Sequence, residues 1–369
     1  GNRLLADWLL APSPVEEVWK RQDTVRELAA DTGWRQHLQA LGMKTKVTLA
    51  TQAHIRNWLD EKKRFTGKSS WKIARVAFPV TSFLVLAMYI TGIIHDQQFL
   101  LLMLLMLSVS FSITRKIMPA YAKLNKITGE LDTLSSGISQ VEKAGFRSPL
   151  FIALQLKTRS DGNSASRSIR QLKKILDRMD YRLNPVVFIP LSAFFCWDLQ
   201  QVFALEKWKS ANREQVDHWF EVIAAAEALS SLGTLAFNHP DWCFPKLAQE
   251  NTTIRATHMG HPLIPPASRV SNHFASPAKG RVSLVTGSNM AGKSTFLRTV
   301  GVNMVLAMTG APVCAGDMEL PPVKVLSSMR VKDNLEESTS TFYAELKKLK
   351  TVIDALKRKE PVFLLLDEI

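Results

Sequence analysis

Between Arg75 and Arg115 the chain holds one acidic residue, Asp96, and no lysine or arginine, and this restricts the fold more than any other feature. Val76–Ile94 is 19 residues long and Gln97–Thr114 is 18, with only His95 and Asp96 between them. At about 1.5 Å of rise per residue, each stretch as a helix nearly matches the ~30 Å hydrocarbon core of a bilayer. A helix on a soluble surface needs a polar face, and neither stretch has one. Cations crowd both outer ends, from Arg56 to Arg75 on one side and at Arg115 and Lys116 on the other. The pattern predicts a transmembrane helical hairpin over 76–114 with both flanks cytoplasmic, membrane lipid around it and the rest of the chain in the cytoplasm. Two buried core helices are the alternative, and Pro79, Ser108 and Ser110 would suit them.

The remainder reads as mostly helical. Residues 1–75 are predicted as a helical segment, 115–260 as a second helical region and 261–369 as a separate α/β domain. Ser13-Pro14-Val15-Glu16 has the form of a capping box opening a helix. A loop is expected at Ser160–Ser164. Leu183–Trp197 is uncharged but only 15 residues long and carries Pro185 and Pro190, so it is predicted to be a buried core segment. Glu214–Leu235 has a strong helical pattern. The basic run Arg167–Arg182 is spaced as a solvated helix face, with phosphate contact as its minority reading. With 47 Lys+Arg against 33 Asp+Glu, the net charge of +14 favours nucleic acid or an anionic membrane without choosing between them. Three scattered cysteines exclude a disulfide framework, and the eight histidines show no metal-ligand spacing. The chain opens on Gly1 with no signal-peptide pattern and stops at Asp367-Glu368-Ile369, so both ends are expected to be cuts in a longer protein.

Chemistry concentrates near the C-terminus. Arg281–Thr286 reads as a buried strand, Gly287-Ser288-Asn289-Met290-Ala291-Gly292-Lys293-Ser294 matches GxxxxGK[ST], and Thr295–Arg298 opens a helix. Strand, glycine loop and helix in that order form the context in which backbone N–H groups cradle phosphates. In this motif Lys293 reaches the β- and γ-phosphates of ATP and the Ser294 hydroxyl ligates Mg²⁺. Further along, Pro361–Leu366 is an apolar strand ending in Asp367 and Glu368. There Asp367 holds the Mg²⁺ and Glu368 polarises the attacking water.

These residues resemble the MutS family of DNA mismatch repair ATPases. Thr286–Arg298 is similar to its P-loop, with the Asn-Met-(Gly/Ala)-Gly-Lys-Ser-Thr core as Asn289 to Thr295. Ser340-Thr341-Phe342-Tyr343-Ala344-Glu345-Leu346 resembles its Ser-Thr-Phe-x-x-Glu-Met signature, and Leu365–Ile369 its Walker B segment. His261-Pro262 and Asn272 fall where the family has a His-Pro pair and an Asn beside the nucleotide base. Gly1–Leu28 is similar to the opening of the family's core domain. The resemblance covers roughly 1–55 and 215–369. It implies an α-helical MutS core-like region, here interrupted by the hairpin, followed by an α/β P-loop NTPase domain truncated at Walker B. It also implies ATP and Mg²⁺ as cofactors, a homodimer through the ATPase domain with Ser340 reaching the partner's γ-phosphate, and DNA bound in a mismatch-repair-like process.

The sequence departs from the family at several points. Ser338-Thr339 replace the Gly-Arg or Gly-Lys before the signature, the stretch after Walker B is absent, no Phe-x-Glu mismatch wedge occurs, and the hairpin stands where the family places its lever helices and DNA clamp. The rival reading is therefore a membrane-bound ATPase using a MutS-type engine on a membrane or protein partner without DNA. An ABC-transporter-type ATPase is a third reading. Asn289-Met290 and Ser340-Thr341-Phe342 argue against it, because transporters carry a Ser-Gly-Gly-type signature.

Overall fold

Apolar residues three or four positions apart along most of the chain wind it into helices, as at Ile169, Leu172, Leu176 and Met179, all buried on one helix side. The computed structural model describes residues 1–369 except 126, 161, 249–252, 278–279, 289, 329–340 and 368–369, and gives only the backbone of 119–123, 125, 160 and 341–348. In chain order the elements are α1 (Asn2–Leu10), α2 (Val15–Ala30), α3 (Thr32–Lys44), α4 (Leu49–Asp60), α5 (Ser69–Ile90), α6 (Asp96–Asn125), α7 (Thr128–Lys143) and α8 (Pro149–Lys157). A two-residue hairpin follows, β1 (Arg159–Ser160) with β2 (Asn163–Ser164), then α9 (Ala165–Met179), α10 (Pro185–Phe195), α11 (Trp197–Asn212) and α12 (Val216–Asn238). The C-terminal third holds β3 (Lys246–Leu247), β4 (Thr253–Met259), β5 (Asn272–Pro277), α13 (Lys293–Thr309), β6 (Asp317–Leu320), β7 (Lys324–Ser328), α14 (Thr341–Lys357) and β8 (Val362–Leu366). The protein is thus mostly helical, with small sheets toward the C-terminus.

The chain divides into two compact units. The first comprises Gly1–His37, Gly145–Ala153 and Ala224–Ile369. Its four-stranded sheet runs in the order β3-β6-β4-β5, with β3 parallel to β6 and the other pairs antiparallel, and β7 pairs with β8 in a separate parallel ladder. Val15 and Val18 of α2, Val300, Met304 and Met308 of α13, and Ile254, Met259 and Met318 from the sheet form one apolar core. The capping box expected at Ser13–Glu16 is not formed. Pro14 precedes α2 without a side-chain cap, and Ser13 Oγ accepts from Arg21 Nη1 at 2.9 Å instead. A charged donor is the stronger partner for that hydroxyl.

The second unit comprises Leu38–Ala144 and Leu154–Ile223. Its core gathers Leu131, Leu134 and Ile138 of α7, the buried side of α9, and Trp208 and Trp219, whose rings meet at 6.1 Å. The α4 helix carries a full capping box, Thr48 Oγ1 accepting from Thr51 N while Thr51 Oγ1 accepts from Thr48 N. Outside this core, α5 and α6 pack on each other and on α10. Both present large apolar side chains outward, Val80 and Leu84 on α5 and Leu100, Leu101, Leu104 and Leu105 on α6. By length and composition α5, Asp96–Met118 of α6 and α12 could each cross a membrane, and α10 with α11, bent by 80°, make a possible fourth crossing.

Leu183–Trp197 corrects the expectation of a buried core segment. Leu183 and Val186 are about four-fifths exposed, and only Phe188, Ser192 and Ala193 of α10 are covered. Apolar on every side, this helix gave the sequence no stripe from which to choose a buried face. It ends at Cys196 in the left-handed conformation, and the carbonyls freed there find side chains: Ser82 Oγ of α5 donates to Ala193 O at 3.1 Å, and Gln200 Nε2 donates to Phe195 O.

Candidate functional site

The glycine loop runs directly into α13. Gly292 takes φ +89° as the residue before the helix, a conformation natural only to glycine, and Met290 stands at φ +67° with its side chain wholly exposed. Ala291 N closes the turn on Ser288 O at 3.3 Å. Lys293 then folds back over the loop, its Nζ donating to Gly287 O and Ser288 O at 2.9 Å each. No carboxylate pairs with this ammonium among the described residues. Ser294 and Thr295 follow in the first turn, where helix N–H groups have no intrahelical acceptors and the dipole is positive.

A rigid base holds α13. Gly301 faces β8 so closely that a Cβ there would lie 2.6 Å from Leu365 Cδ1. Phe274 of β5 meets Phe296 in the helix's first turn and Phe363 of β8, with ring centroids 6.1 and 6.4 Å away. Asn303 is fully buried, and every bond it makes is to backbone: its Nδ2 donates to Gly260 O at 3.0 Å and Thr299 O at 2.8 Å, and its Oδ1 accepts from Cys314 N at 2.8 Å. Asn303 thereby ties the strand end before His261 to the helix behind the glycine loop. Sequence reasoning passed over Asn303 and Gly301. A lone Asn on an apolar helix face, in NMVLAM, was the available signal.

His261 lies beyond that tie. Its Nδ1 accepts from Leu263 N at 3.2 Å, which leaves the proton on Nε2 in the neutral ring. Burial, and then the charges of Arg298 and Arg269, hold its pKa below the ordinary histidine value. Asn272 opens β5 opposite Met259 and is exposed. The apolar strand 362–366 forms as expected, paired in register from Lys324↔Val362 to Ser328↔Leu366, and Asp367 follows it with its N–H on Ser328 O at 3.1 Å.

The strand expected at Arg281–Thr286 is not there: the segment has no regular structure, and Val282 and Leu284 are almost wholly exposed. Among the described residues the β7–β8 ladder has no third strand, and the segment pairs with neither of its free edges. Gly287, Ser288, Met290, Ala291, Gly292, Lys293, Ser294 and Thr295 do stand together at the head of α13. No hydrogen bond or ion pair among the described residues joins Asp367 to Lys293 or Ser294. Asn289, Ser340 and Glu368 lie outside the described residues.

In kind, the groups at the head of α13 fit a phosphate chain. They are an ammonium with no carboxylate beside it among the described residues, first-turn amides and a glycine turn that lets backbone approach closely. Ser294 and Asp367 supply the hydroxyl and carboxylate that a hard divalent cation takes.

Fold and site together define a mostly helical protein with a glycine loop and its helix set on a small C-terminal sheet. Residues 283–369 match the family model MutS domain V, and this segment relates the chain to MutS-family proteins. The DNA mismatch repair protein MutS of Desulfovibrio desulfuricans is 35% identical over 165 residues, 43% of this chain and 17% of that protein. The DNA mismatch repair protein MSH6 of Arabidopsis thaliana is 31% identical over 167 residues, 41% of this chain and 13% of its own length. Endonuclease MutS2 of Thermus thermophilus is 37% identical over 95 residues, 26% of this chain and 12% of its own. The chain spans less than a fifth of the length of these relatives.

Proposed function

We propose that this chain is a membrane-anchored ATPase of the MutS type. Residues 261–369 are its ATPase domain, 76–114 its transmembrane hairpin, and 1–75 and 115–260 its helical segments. Lys293 and the loop Gly287–Ser294 bind the phosphates of ATP, Ser294 and Asp367 hold Mg²⁺, Glu368 orients the attacking water, and Asn272 lies beside the base. Two copies pair through the ATPase domains, with Ser340 reaching across. The observation that carries this reading is the ammonium of Lys293, seated on its own loop carbonyls at a helix start, inside the segment that matches MutS domain V.

DNA is the cargo that the relatives' names suggest, in mismatch-repair-type work. A second reading keeps the engine and changes the cargo to a membrane or protein partner. The exposed apolar surface of α5 and α6 favours it, because DNA binding gives such a surface no role.

The test is nucleotide binding and turnover by the full chain. Lys293→Ala should weaken Mg-ATP binding at least about 10²-fold with the melting midpoint unchanged, and Glu368→Gln should keep binding while slowing hydrolysis about 10²-fold. Equal ATP affinity in wild type and Lys293→Ala, by calorimetry, removes the nucleotide assignment.

A further inference from the structure

At the start of α5 the surface of the second unit carries an open cavity for which the nucleotide chemistry has no use. It has a volume of about 620 Å³ and is lined by Lys63, Lys72, Arg75 and Lys207, with Glu206 as its one carboxylate. Glu206 is already committed. Its Oε1 accepts from Arg64 N at 2.8 Å and Phe65 N at 3.2 Å, and its Oε2 from Thr66 N at 2.7 Å and Thr66 Oγ1 at 2.5 Å. The four cations have no carboxylate partner among the described residues. Arg75 is fixed all the same, its Nε donating to Gln200 Oε1 at 2.8 Å and its guanidinium 5.2 Å from the Phe203 ring centroid. Four cations against one carboxylate leave the wall with a net positive charge, which favours an anion.

The apolar part of the wall shows what kind of anion fits. Val76 and Phe203 are the apolar side chains of the lining, and Val76 begins a stripe that continues through Val80 and Leu84 along α5. These three residues are four positions apart, so they share one helix face, and all three are more than half exposed. A ligand with a charged head and an apolar tail would meet both surfaces at once.

We propose that this cavity binds the phosphate-bearing headgroup of an anionic membrane lipid, with an acyl chain along Val76, Val80 and Leu84. The proposal rests on the hairpin reading, under which the cavity sits at the cytoplasmic headgroup level, where basic clusters beside a span recruit anionic lipid. A free phosphate shares the head chemistry but leaves the stripe unused.

The test takes the full chain in neutral-detergent micelles and measures retention of phosphatidic acid against phosphatidylcholine of the same acyl chains, with inorganic phosphate as competitor. Wild type should prefer phosphatidic acid at least tenfold, and millimolar inorganic phosphate should not displace it. Lys72→Gln with Lys207→Gln, both exposed, should bring retention down to the phosphatidylcholine level with the melting midpoint unchanged. Arg167→Gln with Lys174→Gln removes equal charge from α9 and should leave the preference intact. The proposal is overturned if the cavity variant retains phosphatidic acid like wild type, if both variants lose it equally, or if inorganic phosphate competes on even terms. Extraction of the chain from membranes separates the two readings. A chain that needs detergent for release but shows no lipid preference loses the cavity proposal and keeps the hairpin. A chain freed by salt alone that still selects phosphatidic acid keeps the headgroup site and loses the hairpin.

Discussion

In the unit that carries the glycine loop, Ile254, Met259, Met304, Met308 and Met318 are all buried against one another. In the unit that carries α5 and α6, Leu100, Leu101, Leu104 and Leu105 are each more than half exposed. Both units have an inner core, and among the described residues only the second adds a long outward apolar surface. Contiguous exposed apolar area on soluble monomers is usually limited to a few hundred Å² and marks an interaction site where it is larger. Polar groups follow the same division. Asn303 in the first unit spends its hydrogen bonds locking a helix to a sheet, whereas Ser82 in the second serves a helix carbonyl beside the exposed apolar helices. One unit is organised around a packed platform for a loop, the other around a surface that needs a different solvent.

Substitutions can break this contrast. The largest effect is expected from Asn303→Leu, which keeps the branched outline but strands the Gly260 carbonyl and the Cys314 amide in the core. At about 1–3 kcal/mol for each buried group left unpaired, the cost is about 3–4 kcal/mol, read as a lower denaturation midpoint together with weakened ATP binding. A loss below about 1 kcal/mol would mean that the platform does not depend on this residue.

Leu105→Arg tests the other side. On a water-facing surface an exposed substitution changes stability by about 0.5 kcal/mol or less, whereas an arginine near the middle of a span costs about 2.5–3.5 kcal/mol. We expect a marked fall in the membrane-integrated fraction of the variant. Wild-type behaviour would return α6 to water or to a protein partner.

The smallest effect concerns Glu206. Burial pushes its carboxyl up, but hydrogen bonds from Thr66 and from the amides of Arg64 and Phe65 outweigh burial and hold its pKa below the ordinary glutamate value. The stability it contributes is therefore full above the unfolded pKa of about 4.3 and is lost as pH falls through the lower folded value. Glu206→Gln should remove that contribution, about 1 kcal/mol or less, at neutral pH and leave the acid limit nearly unaffected, so that stability falls less steeply with acid, measured by thermal melts from pH 3 to 7. An unchanged slope on the acid side would assign the loss to other carboxylates.

What the sequence revealed differs between the units for physical reasons. Charge-free length is a local property, so helices over both halves of the proposed hairpin could be read directly, as could the loop-to-helix junction at Lys293 and the strand ending before Asp367. Strand pairing depends on neighbours far along the chain. Arg281–Thr286 has strand composition yet pairs with no strand among the described residues, and composition could not reveal that. A helix was expected over Glu214–Leu235 and forms at Val216–Asn238, but its capacity to cross a membrane was not expected, because Asp217, Glu221 and Glu227 interrupt its apolar run. Asn303 and Gly301 were illegible because their importance comes from contacts with residues 260, 314 and 365.

The central claim is that one chain joins a nucleotide-binding loop to a membrane-held unit. Photo-crosslinking of azido-ATP to the full chain in native membranes, followed by a high-salt wash and then detergent, tests both halves together. The account predicts Mg²⁺-dependent label on the wild-type chain that stays with the membrane through salt, leaves only in detergent, and is absent from Lys293→Ala. Label on Lys293→Ala at the wild-type level, or release of the labelled chain by salt alone, would contradict it.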